Sequence, residues 1–241
     1  HVERERHEPR GALRPQAGLN ALDMKEMGWV RVALTWDALL LVVAVSIGAA
    51  ATSTLLAWRD PIYIAAGFAG VVGLALMLVQ PLLIGGYLTG LSRYQARRVH
   101  RWTGATLVAA VVIHIAGLWI TSPPDVIDAL LFTSPTPFAA WGVIAMWAIL
   151  AVAVMVALRP RLGLRPRTWR IAHTALVTVI VLGTVVHSIL IQGTMETVSK
   201  VVLSALVVAA TIKVIADIRV WRKRTTAPGG GPSSEKSISA D

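Results

Sequence analysis

Six stretches of this sequence are apolar for long enough to cross a bilayer, and no other feature restricts the fold as tightly. A membrane-spanning helix needs about 20 predominantly apolar residues. Runs that qualify fall at about residues 38–58, 62–88, 102–121, 138–158, 169–192 and 197–218. The expected fold is all-α, an integral membrane six-helix bundle. Pro81 lies inside the second run, where a missing backbone donor and a clash with the preceding turn should bend the helix. The sixth run is uncharged only from Val201 to Ile212, so Lys200 and Lys213 are expected to snorkel towards opposite headgroup layers.

Composition agrees with that reading. Hydrophobic residues make up 55% of the chain and charged residues 15%, against about 25% charged in soluble domains. The net charge of +10 would point to nucleic acid in a soluble protein. Here the basic residues sit in short segments between apolar runs, where insertion and anionic headgroups favour them. The expected partner is therefore the lipid bilayer, with no nucleic acid.

Arginine placement gives the orientation. Arg93, Arg97, Arg98 and Arg101 precede the third run, and Arg159, Arg161, Arg165, Arg167 and Arg170 surround the connection between the fourth and fifth. The connection between the third and fourth runs has no Lys or Arg, and that between the fifth and sixth has only Lys200. By the positive-inside rule the arginine-rich connections and both termini are cytoplasmic. Residues 1–32 read as a polar cytoplasmic segment, 33–218 as the transmembrane domain, and 219–241 as a basic, then Gly/Ser/Pro-rich tail expected to be disordered. The opening segment is too long and too mixed in charge for a signal-peptide n-region, so the first run reads as a retained anchor. The expected location is a multi-pass membrane protein, in the inner membrane if the source is bacterial.

Within this frame the histidines carry the chemistry. "RRVHRWTGATLVAAVVIHIAG" holds His100 and His114, fourteen residues apart, and "RIAHTALVTVIVLGTVVHSIL" repeats the spacing with His173 and His187. Fourteen residues of α-helix rise about 21 Å and return to within about 40° of the same face. Each helix thus offers two imidazoles at two depths. The third and fifth runs cross in the same direction, which pairs His100 with His173 near the cytoplasmic side and His114 with His187 near the outer side. Facing imidazoles across a helical bundle are an axial ligand set for a b-type haem, and two pairs would stack two haems across the membrane. Cysteine is absent, which excludes covalent c-type attachment and cysteine-ligated clusters. Zinc would lack its third and fourth ligands at each pair. The competing reading is structural: intramembrane histidines also hydrogen-bond between helices or relay protons.

The basic residues before "HRWTG", the two histidines fourteen apart on the third of six spans and the second such pair on the fifth resemble the transmembrane domain of ferric reductases and NADPH oxidases. The resemblance covers about residues 33–218. It implies a bundle carrying two non-covalent b haems that pass single electrons outward, with His100 and His173 ligating the inner haem and His114 and His187 the outer. Larger members add a flavin and nicotinamide domain after the sixth helix. The short tail here cannot hold one, so no flavin or nicotinamide site is expected in this chain. Electrons are expected from a separate flavoprotein or quinol, and an external or periplasmic acceptor takes them. In this the chain is similar to the stand-alone haem subunit of the periplasmic methionine sulfoxide reductase system, although that subunit does not typically carry all four histidines.

Secondary candidates follow from the haem reading. Arg97, Arg98, Arg101 and Arg170 could pair with anionic propionates of the inner haem, although topology alone also accounts for arginines there. Gly104, Gly117 and Gly183 would allow close approach of a porphyrin or of another helix. The outer connection is expected to form a short helix from Ser122 or Asp125, with "VIDALLF" lying over the outer haem, and Asp125 and Asp128 could face a cationic acceptor. Two further functions remain open from sequence. One is a haem subunit that docks a separate periplasmic reductase or oxidises quinol; the other is a non-redox carrier or scaffold with structural histidines.

Overall fold

The computed structural model describes the backbone of residues 14–225 and side chains over 28–217. The first residues and the Gly/Ser/Pro-rich tail from 226, expected to be disordered, lie outside the described residues. Among those described the chain is all-helical: α1 (Arg14–Ala51), α2 (Pro61–Gly85), α3 (Arg93–Thr121), α4 (Pro123–Leu130), α5 (Pro137–Ala157), α6 (Arg159–Leu162), α7 (Pro166–Leu190) and α8 (Thr197–Thr225). Six helices, all but α4 and α6, are long and apolar enough to span a membrane. The protein is an integral, multi-pass membrane protein.

Helix boundaries follow local chemistry. Asp60 caps α2 by accepting from the backbone N–H of Ile62 at 2.7 Å, with Pro61 at the first helical position, where its missing donor costs nothing. α2 runs through Pro81 and stops at Gly86, whose φ of 72° closes the helix in the left-handed region. Ser92 and Gln95 form a reciprocal capping box at the start of α3. Pro137 and Pro166 likewise open α5 and α7.

The first span differs from expectation. Its spanning part is Gly28–Ala51, whereas sequence placed it at 38–58. Arg31 and Asp37 are exposed members of this helix. Past Ala51 the chain turns through a 3-10 segment, Thr54–Leu56, capped by the Ser53 hydroxyl, and Trp58 takes a φ of 67°. The helix also covers residues 14–32, read from sequence as a polar segment.

Packing is organised as two helix pairs, α2 with α3 and α5 with α7, joined by α8, which lies against α2 and α7. The histidine-bearing helices α3 and α7 barely touch each other. In hydrocarbon there is little hydrophobic drive between helices, so small residues at close crossings do more of the work. A Cβ on Gly117 would lie 2.7 Å from the Cβ of Ala66, and one on Gly183 would lie 3.0 Å from the Trp141 carbonyl. Both glycines therefore serve helix contact, α3 on α2 and α7 on α5. Leu203 and Val207 of α8 are fully buried beside Leu74 and Leu78 of α2 and Ile180 and Val181 of α7. Leu40, Leu41, Val112, Ile113, Val154 and Leu182 are exposed and face lipid.

Candidate haem sites

The four histidines come together across helices, in the pairs their spacing implies. At the arginine-rich end, His100 of α3 and His173 of α7 have ring centroids 6.4 Å apart and ring planes at 75°. The Nδ1 atoms of both are buried without a hydrogen-bond partner. Trp169, one turn before His173, lies parallel to it, with an interplanar angle of 8° and centroids 6.0 Å apart. The Arg159 guanidinium covers that indole at 4.6 Å.

Towards the other end, His114 and His187 line one cavity of about 760 Å³ between the two helix pairs. Its walls are mostly apolar, including Leu74, Met77, Leu107, Val111, Val143 and Met146, and α4 and the 191–195 loop line it as well. The expected short helix is α4, with Ser122 at its N-cap and Asp125 in its first turn. Its Val126 is buried and lines the cavity, as do Asp125 and Asp128.

Both cavity histidines are aimed by backbone. The Nδ1 of His114 lies 2.7 Å from the Ala66 carbonyl oxygen, and that of His187 lies 2.9 Å from the Phe138 carbonyl oxygen. A carbonyl only accepts, so each Nδ1–H donates and each Nε2 keeps its lone pair for a metal. These carbonyls also belong to helices, where the residue four positions later covers them. Here that residue is Gly70 in one case and Gly142 in the other. A Cβ on Gly70 would lie 3.2 Å from the His114 Nδ1, and one on Gly142 would lie 2.6 Å from the His187 Nδ1. The sequence reading missed both. Their signal was a register: Ala66 and Phe138, like Gly70 and Gly142, stand 72 residues apart, while the histidines stand 73 apart.

Residues 66–184 match the model of the ferric reductase like transmembrane component. These residues form a ferric reductase-like transmembrane domain. The match runs from the Ala66 carbonyl to within three residues of His187 and includes the other three histidines. No curated protein and no solved structure matches the chain.

Ferric reductase-like domains generally bind haem, and the residues here fit it. With a metal–imidazole bond of about 2.0 Å and a ring radius of about 1.2 Å, two imidazoles on opposite faces of one metal have centroids about 6.4 Å apart, the His100–His173 separation. The apolar cavity at His114 and His187 is within the roughly 300–1,000 Å³ of cofactor pockets. Among the described residues no three His, Asp or Glu side chains converge on a metal-sized site. A porphyrin brings four ligands of its own and needs only the two imidazoles.

Arg97, Arg98, Arg101 and Arg170 are all exposed. At 100° per residue Arg97 stands about 60° around α3 from His100, Arg101 about 100° and Arg98 about 160°. Arg98 and Arg101 border a surface depression with Tyr94 and Trp102, away from the histidine face. Arg170 precedes His173 by three residues, as Arg97 precedes His100. Arg97 and Arg170 are therefore the better placed of the four. Gly104 makes only ordinary contact, 3.8 Å from Gln80 Nε2.

The glycine arrangement gives a direct prediction. Gly142→Ala drives a methyl into the His187 ring and breaks its bond to the Phe138 carbonyl. Overpacking of this kind costs about 1–3 kcal/mol, and loss of a partner that orients a metal ligand costs about 10- to 100-fold in metal affinity. Haem titration of the depleted protein should show weakened binding at one site, with the other unchanged. Gly104→Ala, which meets open packing, should leave both unchanged.

Proposed function

We propose that this chain is a di-haem b-type membrane cytochrome that carries single electrons across the bilayer in the manner of ferric reductases. What supports this most is one arrangement: two histidine pairs, at two depths, contributed by helices α3 and α7 that run in parallel and barely touch. His100 and His173 would hold one haem, and His114 and His187 the other. Each haem iron supplies one-electron redox chemistry. The chain would hold the two haems at two depths, fixes the ligand tautomer at the cavity pair through Ala66 and Phe138, and surrounds that site with mostly apolar side chains. Arg97 and Arg170 would meet the propionates of the first haem.

Direction follows from charge. The arginine-rich end is assigned to the cytoplasm by the positive-inside rule, so a flavoprotein or quinol delivers electrons there and an acceptor takes them at the end lined by α4. Outward movement of an electron from a negative interior gains about 2.3 kcal/mol per 100 mV for full transfer.

The test is haem content. Purified protein, expressed with ample haem, should give close to two pyridine haemochrome equivalents per chain, all extracted by acid acetone. A single equivalent would favour a one-haem subunit that docks a separate reductase. None would return the histidines to a structural or carrier role.

A further inference from the structure

Lys200 departs from the behaviour expected of it. Sequence places it at a membrane boundary, where a lysine snorkels to headgroups. In the fold it turns inward: it is 6% exposed, it lines the cavity that holds His114 and His187, and its Nζ donates to the Ile191 carbonyl at 2.6 Å. Ile191 is the C-cap residue of α7.

That one bond leaves the ammonium incomplete. It carries three donors and a full charge, and a buried charge is tolerated when something compensates it. Asp125 and Asp128 line the same cavity, but the ion pair found among the described residues is Lys213–Asp217, so no carboxylate reaches Lys200. It is also the one Lys or Arg among the cavity's lining residues. The occupant it calls for is an apolar body with an anionic edge.

We propose that Lys200 binds a propionate of the haem held by His114 and His187. This rests on the di-haem reading above. The role parallels that of Arg97 and Arg170 at the other end, with one difference. Lys200 is anchored to the end of a ligand helix, so the same side chain closes α7 and neutralises the cofactor. An unneutralised propionate would favour the oxidised iron, so pairing it with Lys200 would favour the reduced one.

The experiment uses the full chain in lipid nanodiscs, depleted of haem and refilled either with protohaem IX or with its dimethyl ester, followed by spectroscopic redox titration. His114→Ala identifies which component belongs to the cavity. With protohaem, Lys200→Met should shift that component about tenfold towards the oxidised form, a fall of about 59 mV for one electron, and leave the other component in place. Lys200→Arg should restore it. With the dimethyl ester the Lys200→Met shift should be much smaller than with protohaem, because no carboxylate remains for the ammonium to neutralise.

Equal potentials with protohaem would reduce Lys200 to a cap of α7 and overturn the proposal. A shift of the same size with the ester would overturn it too, since the propionate would then contribute nothing. If Lys200→Met takes up no haem at the cavity, recovery in Lys200→Arg supports the proposal and failure to recover overturns it. A wild-type protein without a Soret band would instead remove the di-haem reading itself, a result distinct from all of these.

Discussion

His100→Ala and His173→Ala should each abolish the same haem, leaving a protein that holds one haem and shows one component in a redox titration. The expectation comes from distance. Within α3 the two histidines are separated by about 21 Å along the axis, too far to share one iron, whereas across helices His100 and His173 have centroids 6.4 Å apart. On the di-haem reading, loss of one imidazole would leave its partner to hold a large apolar ring alone. The double variant His100→Ala/His173→Ala should therefore resemble either single variant. His100→Ala/His187→Ala should have no tightly held haem, since it breaks both pairs. The measurement is haem content together with the number of titrating components. Single variants of His100 and His187 with matching spectra would contradict the parallel arrangement of α3 and α7.

Much of this arrangement was legible in the sequence, and the misses have specific causes. Apolar runs identified the six spanning helices because burial in lipid demands length and continuity, which composition displays directly. The first span was set too late because an apolar run does not mark where its helix begins: α1 runs through Arg31 and Asp37, both exposed, and ends at Ala51. Equal spacing revealed the histidine pairs because a helix converts sequence distance into depth and face. The supports of His114 and His187 stayed hidden because their acceptors are the carbonyls of Ala66 and Phe138, and a carbonyl leaves no residue type to read. What they required of the sequence was Gly70 and Gly142, where a side chain would meet an imidazole. Glycines are common in membrane helices, so only the shared register of about 72 residues between the two helix pairs sets these two apart. Lys200 was read as snorkelling because hydropathy reports how far along a span a charge stands and not which way it turns.

Electron delivery to the far side should fail in His187→Ala while one haem remains reducible. The expected result follows from the order of the two sites. His173 stands seven residues from the start of α7 and His187 three from its end, so the pair at the arginine-rich end is reached first by a donor on that side. Removing His187 leaves His100 and His173 untouched, about 21 Å of helix away. Dithionite or a soluble flavin donor applied at the arginine-rich face should then still reduce the remaining haem. Its oxidation by an impermeant ferric chelate at the opposite face should fall to the background of protein-free vesicles. Wild type in the same oriented vesicles should reoxidise quickly, and faster when the donor side is made electrically negative, because the field does work of about 2.3 kcal/mol per 100 mV on a fully transferred charge. Stopped-flow traces with and without an imposed potential separate the two effects. If His187→Ala reoxidised at the wild-type rate, the second histidine pair would lie off the electron path and the cavity would serve something other than conduction. If only the potential dependence were absent, conduction would stand and a step other than charge movement across the bilayer would limit its rate.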